Sequence, residues 1–387
     1  MIDPKQGLTR FSQVYLAKQQ PGIMEGVSEM AASAAAAVHE TDGPALTTLQ
    51  ENYSISSVEE LIALARVAAR TKLDLQQTIG ITADLTQRLQ ENFEATKVGG
   101  QELASWKRYE AFRYELGCEL DFERPPVPAP GRFGSALGPL NQQTPSLPVP
   151  ALAAPVPPTV NLIDAYMSAI RDQVDRPTCV AFSSVACLEY FRARFGTQTA
   201  SDLSEQFLYW AMVSKTGQHA LQVGFPLLKT DGTCRENTWP YNPKVDPASD
   251  DQGPPPGSAT PEAVAHRCAN VAQLPPRTVA VLKQALSQYR IVAIGIPVYA
   301  SWFNSAVVRK YGNITVPLPG EVPLPVGHAI ALVGYADDPQ FAGGGYFIVR
   351  NSWDKLWATR SVFGPGYGTI PYRYIELYNW DAWCIIS

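Results

Sequence analysis

Cys179, His328 and Asn351 are the side chains whose types and surroundings could together do chemistry. Cys179 follows Arg176-Pro177-Thr178, and the residues after it carry almost no charge before Glu189 and end at Gly196. Such a run predicts a buried helix with Cys179 in its first turn and Gly196 as the C′ residue. A helix N-terminus offers unpaired N–H groups and a partial positive charge, which favour thiolate over thiol and lower a cysteine pKa. A lone cysteine is ordinarily a structural one, and Cys187, eight residues further along the same helix, reads that way.

A nucleophilic thiolate needs a base or counter-cation. The chain has four histidines. His39 follows an Ala-rich run, and His219 and His266 lie in polar, loop-like surroundings, so all three read as surface residues. His328 differs: Val326-Gly327-His328-Ala329 opens an apolar run after the loop Pro317 to Pro325, which puts an imidazole on a rigid strand beside an entrance. Beyond Gly343-Gly344-Gly345, Asn351-Ser352-Trp353 ends the next strand. An Asn carbonyl can accept the imidazole N–H and set its tautomer without neutralising it, while an indole shields that bond from water.

The elements that must position these groups are readable in outline. Ile291 to Val298, Ala329 to Tyr335 and Tyr346 to Arg350 read as strands by their β-branched content and Gly/Pro borders. Helices precede them, and Lys244 to Pro261, with Pro254-Pro255-Pro256, reads as a surface excursion. From about Glu25 to Arg124 the chain is rich in Ala, Leu, Glu and Gln and nearly free of Pro, which favours helix. Two overlapping capping boxes, Ser56 with Glu59 or Ser57 with Glu60, precede Leu61, Leu64, Ala65 and Ala68. A similar phrase recurs at Ile81-Thr82-Ala83-Asp84-Leu85.

In this order, the motifs resemble those of the papain-like (C1) cysteine peptidases, most closely bacterial members. The resemblance rests on Gln173, Cys179-Val180-Ala181-Phe182-Ser183, Leu203-Ser204-Glu205-Gln206, Trp239-Pro240-Tyr241, Gly327-His328-Ala329, Val333-Gly334-Tyr335, Asn351-Ser352-Trp353 and Gly366-Tyr367-Gly368, spread over roughly residues 161–375. It implies an α+β, two-lobed fold, with a helical left lobe and a right lobe like an antiparallel β-barrel. It also implies Cys179 as nucleophile, His328 as general acid/base, Asn351 orienting His328, Trp353 covering their hydrogen bond, and Gln173 with the Cys179 N–H as oxyanion hole, with no cofactor and no metal. Arg176 stands where the family usually has a cysteine, so the disulfide from that site cannot form. Val174 and Val180 replace the usual Gly and Trp, and Asp354 a common Gly. A Cys-Asn-Gly-Gly phrase is missing. Acyl transfer or amidase chemistry on the same residues, or a silent binding module, are the alternatives.

Composition bounds the rest. The 387 residues suit two or three domains, placed here at 1–122 (a small all-α docking module or pro-region), 123–160 and 161–387 (the peptidase). The chain carries 33 prolines, about 8.5% against a usual ~5%. Eleven fall between Glu123 and Val160, and Phe133 to Ile163 holds no charged residue. Such a segment cannot be helix; the resemblance implies a zymogen whose N-terminal segment runs through the cleft, a part that proline suits because it lacks the N–H that a substrate strand donates, and a tether to a docking domain is the plainer reading. Residues 1–121 hold 17 acidic and 11 basic side chains, a net of -6, and no basic stripe of the kind nucleic acid needs is present. Six dispersed cysteines without a CxxC pair signal neither zinc nor a disulfide framework. With no apolar run of ~18 residues and no Sec-type start, a membrane span is not expected. Synthesis in the cytoplasm is expected, with non-classical export left open. The expected partners are a protein or peptide substrate and a protein docking on the helical module.

Overall fold

The computed structural model describes residues 7–20, 27–104, 106, 156–196, 202–246, 248–317, 321 and 323–387. Up to residue 155, the proline-rich segment expected over 123–160 lies outside the described residues.

The N-terminal part is helical: α1 (Phe11–Gln19), α2 (Glu29–Ala37), α3 (Gly43–Tyr53), α4 (Val58–Thr71), α5 (Leu75–Ile79), α6 (Ala83–Ala95) and α7 (residues 97–104). Of the two capping boxes available, Ser57 with Glu60 forms. Ser57 Oγ accepts from Glu60 N at 3.3 Å, and Glu60 Oε2 accepts from Ser57 N at 3.2 Å and from Ser56 N at 2.8 Å. Thr82 caps α6 by accepting from Leu85 N at 3.1 Å. The apolar faces of these helices close a core around Val14, Leu49, Val58, Leu61, Leu89 and Phe93.

Glu59, freed from capping, is buried with both carboxyl oxygens 2.9 Å from Thr9 N. Burial, the largest cause, pushes its carboxyl from an ordinary 4.5 up to about 7. The folded chain therefore keeps this proton over a range where the unfolded chain has lost it. Its contribution is fully present below pH ~4.5 and is lost as pH rises through about 7, a swing of about 3 kcal/mol. Glu59→Gln is expected to leave Tm at pH 4 unchanged and to raise it at pH 8. Equal pH dependence in the two proteins, followed by calorimetry, contradicts this.

The C-terminal part packs helices on one antiparallel sheet. Its helices are α8 (Cys179–Phe195), α9 (Glu205–Thr216), α10 (Leu221–Thr230), α11 (Ala259–Val264), α12 (Val279–Ser287), α13 (Ala300–Asn304), α14 (Ala306–Tyr311) and α15 (Tyr372–Tyr378). Its strands are β1 (Thr159–Asn161), β2 (Val271–Gln273), β3 (Val292–Tyr299), β4 (Pro323–Asp337), β5 (Gly345–Arg350), β6 (Tyr367–Pro371) and β7 (Asp381–Ile385). They run in the order β2-β7-β3-β4-β5-β6, with β1 also paired to β4. The fold is thus α+β. The three strands expected from composition are β3, β4 and β5, whereas β1, β2, β6 and β7 are too short or too mixed to announce themselves.

The two parts share packing. Ala306, Val307 and Tyr311 of α14 belong to the core of the N-terminal helices. Glu102 bonds both Lys310 and Arg360, Val316 N donates to Tyr53 O at 3.1 Å, and Ala342 N donates to Ser54 Oγ at 2.7 Å. No helix among the described residues is long and apolar enough to cross a membrane.

Candidate active site

Cys179 is the first residue of α8 and is fully buried in the core that α8 forms with β4. Thr178, the N-cap residue, makes no side-chain cap, because its hydroxyl lies 2.9 Å from Tyr241 Oη instead. The first-turn N–H groups of α8 therefore receive no cap from it, a setting that favours an anion. Burial, the largest cause in each, raises the other described thiols: Cys234 and Cys268 up to about 11, Cys384 to about 12, and Cys187 higher still.

His328 and Asn351 meet because of strand register. The last β4–β5 pair is Ala331 with Arg350. One step further, Asn351 falls opposite Ile330, and His328 shares Ile330's face two residues away, a diagonal neighbour in a sheet. His328 Nε2 lies 2.8 Å from Asn351 Oδ1. The same oxygen is 2.9 Å from Ser352 N. A backbone N–H can only donate, so the Asn351 atom must be the acceptor, and Nε2 must carry the proton it gives. In the neutral ring Nδ1 then holds the lone pair. Nδ1 is buried without a hydrogen-bond partner among the described residues. Burial, the largest cause, lowers the ring to about 4, against the pull of Asn351 upward. At neutral pH the imidazole is therefore a base unless an anion stands beside it.

Aromatic rings close around that imidazole. Trp353 stacks on it at 4.8 Å and 26°, and Trp302 of α13 meets its edge at 6.3 Å and 88°. On β4, a Cβ at position 327 would fall 2.5 Å from Trp380 Cζ2, and one at Gly295 of β3 would fall 2.7 Å from Trp380 Nε1. Glycine at both positions lets an indole lie across the strands next to His328.

Gln173 is held on every side. Its backbone N donates to Ser352 O at 2.9 Å. Its side-chain oxygen accepts from Ser352 Oγ at 2.6 Å, and Nε2 donates to Arg176 O at 3.0 Å. An amide NH2 has two N–H bonds, so a second donor remains on a group that cannot swing. Ser352 thus joins both halves of the site: it touches Gln173 and Asn351 alike. The sequence pointed to Ser352 only as the middle of a tripeptide.

Other residues stand differently from what the sequence led one to expect. His219 and His266, expected at the surface, are buried. His219 packs against Tyr209 and lies 3.4 Å from Asp250, while His266 Nδ1 lies 3.0 Å from Thr233 O. Their polar partners come from tertiary neighbours, which local composition does not reveal. His39 is exposed as expected. The Lys244–Pro261 excursion turns back inward, and its Asp250 and Asp251 carbonyls accept from Arg176 and Gln206 at 3.0 Å. Trp302 and Arg176 were missed as parts of the site, and only the mismatch of a charged residue at position 176 hinted at one of them. No cluster of potential metal ligands occurs among the described residues.

Residues 156–367 match the family described as papain family cysteine protease. Peptidase 1 of Dermatophagoides farinae is 29% identical over 206 residues, covering 51% of this chain and 56% of that protein. Peptidase 1 of Psoroptes ovis is 28% identical over 210 residues, covering 52% and 56%. The chain thus spans little more than half the length of these curated relatives. Among solved structures, xylellain, a cysteine protease from Xylella fastidiosa, superposes with a TM-score of 0.55 at 23% identity, over 66% of this chain and 96% of that one, a likeness of fold. With more than half of its 387 residues inside the family match, the chain belongs to the papain family of cysteine proteases.

Proposed function

We propose that the chain is a cysteine endopeptidase acting on protein or peptide substrates, with Cys179 as nucleophile, His328 as acid/base, Asn351 and Trp353 fixing the ring, and Gln173 with the Cys179 N–H as oxyanion donors. The observation that carries the reading is the His328 ring itself: Nε2–H is committed to Asn351, and the lone pair is left on a buried Nδ1. Nδ1 takes the Cys179 proton, and the thiolate attacks the peptide carbonyl carbon. The C–S bond forms as the carbonyl pair moves to oxygen, where the two N–H donors hold it. Imidazolium Nδ1–H protonates the leaving amine as the C–N bond breaks. Water then gives a proton to Nδ1 as its oxygen attacks the thioester carbon, and the C–S bond breaks, releasing the acid and returning the Cys179 thiolate. An amine in place of that water would make the same site an acyl-transferase, and product masses distinguish the two.

The test is covalent labelling with an epoxide that traps papain-type thiolates. One label per chain on Cys179, and none on Cys179→Ala, is expected; label that survives the substitution contradicts the mechanism.

The N-terminal module over 1–122 and the segment 123–160 are read here as a regulatory pro-region of the peptidase at 161–387. The core shared with α14 and the Glu102 ion pairs favour a module fixed on the enzyme over one that swings on a tether. Incubation of the purified chain, with new N-termini mapped by mass spectrometry, is expected to show cleavage that Cys179→Ala lacks. Full activity of an unprocessed chain contradicts the zymogen reading.

A further inference from the structure

Arg176 lies three residues before Cys179 and is only 2% exposed. Its Nη1 donates to Gln206 Oε1 and to Asn242 O, both at 2.7 Å, and its Nη2 to Asp250 O at 3.0 Å. The guanidinium also lies over the rings of Tyr209 and Tyr241, at 4.9 and 5.1 Å. One planar fork therefore ties α9, the stretch after Trp239 and the 244–261 excursion to the turn that leads into α8. Its charge is met by carbonyl dipoles, ring faces and the nearby Asp250 carboxylate in a fixed geometry, which a lysine could not match.

Tyr241 completes the arrangement. Its hydroxyl donates to Gln173 O at 2.7 Å. With its single proton given there, it accepts from Thr178 Oγ1 at 2.9 Å. One phenol thus spans both ends of the turn from Gln173 to Thr178, and the two proposed oxyanion donors sit at those ends, on Gln173 Nε2 and on the N–H of Cys179. The turn is under strain: Val174, a β-branched residue, has a φ of 49°. Such a conformation persists only where surrounding contacts hold it. Meanwhile the backbone carbonyl of Arg176 itself takes one N–H of the Gln173 amide.

We propose that Arg176 and Tyr241 are positioning residues that set the separation and aim of the two oxyanion donors, without touching the reacting atoms. This rests on the roles given above to Gln173 and Cys179. A displaced donor can cost up to ~10²-fold in rate.

Tyr241→Phe removes only the hydroxyl and keeps the ring over Arg176. On a peptide amide substrate it is expected to lower kcat about 10–100-fold with KM within about twofold. Affinity for a peptide aldehyde, whose adduct places an oxyanion at the same spot, falls by a similar factor. Alkylation of Cys179 by iodoacetamide, which needs the thiolate but no oxyanion hole, stays within about twofold. Arg176→Lys is expected to show the same pattern more strongly; if it does not fold, Tyr241→Phe alone decides. Adding Gln173→Ala to Tyr241→Phe is expected to cost less than the product of the two single losses, because they share one donor and differ in the other. A Tyr241→Phe protein with wild-type kcat, with alkylation slowed as much as turnover, or with losses fully additive to Gln173→Ala overturns the inference while the oxyanion reading stands. Wild-type kcat in Gln173→Ala overturns the oxyanion reading, and this inference with it.

Discussion

Cys179→Ala is expected to abolish peptide hydrolysis, His328→Ala to lower kcat by about 10⁴-fold, and the double variant to be no worse than Cys179→Ala alone. In the proposed mechanism the two act as one unit: a thiol without a base is mostly protonated, and a base without a thiol has no nucleophile to activate. Non-additive loss is the signature of such a unit. Single-turnover kinetics of the three variants measure it, and losses that multiply contradict the pairing. The ring's titration supplies an independent check. Burial lowers His328 to about 4 when no anion stands beside it. A thiolate opposite Nδ1 favours the charged ring, so wild type should keep imidazolium to higher pH than Cys179→Ala, whose ring should titrate near 4. Identical imidazole titrations by NMR in the two proteins would mean that Sγ and Nδ1 do not share a proton.

Gln173→Ala is the second large effect: a drop in kcat of about 10²–10³-fold, corresponding to ~2.7–4 kcal/mol of lost oxyanion stabilisation, with iodoacetamide alkylation of Cys179 nearly unchanged. Gln173 is 1% exposed and its side chain is locked by Ser352 Oγ and Arg176 O, so its remaining N–H is preorganised rather than recruited. Preorganised donors act without reorganising as charge develops, which is why a single amide can matter this much. The substitution also strands Ser352 Oγ, whose partner it removes. Ser352→Ala in the Gln173→Ala background separates that cost from the catalytic one. Alkylation slowed in step with turnover would instead assign Gln173 to the thiolate's environment.

Much of this site could be anticipated where the determining interactions are local. The helix from Cys179 to Phe195 follows from a run that carries no charge before Glu189, with Gly196 as an extended C-cap rather than the expected C′ residue, and α4 begins at Val58 because Ser57 and Glu60 cap each other within one turn. His328 and Asn351 were recognisable through their strands. The extended turn between those strands, with φ values of 87° and 81° at Gly343 and Gly344, lets the hairpin close. Contacts at long sequence separation were not anticipated. Trp302 reaches His328 from another element, the partners of Arg176 lie 30, 66 and 74 residues away, and His219 and His266 are buried by partners that their own neighbourhoods do not contain.

The amino-acid sequence by itself therefore determined the candidate groups and the elements that bear them: a thiol at a helix N-terminus, an imidazole on a strand and an Asn at the end of the next. Periodicity, capping and turn residues act over a few positions, and so they can be read from the chain directly. Only the tertiary structure decided the tautomer of His328, the lock on Gln173 and the buried clamp of Arg176 and Tyr241. Each of those depends on where polar groups from distant segments arrive once the core has closed, and buried polar groups take whatever partners that packing brings within reach.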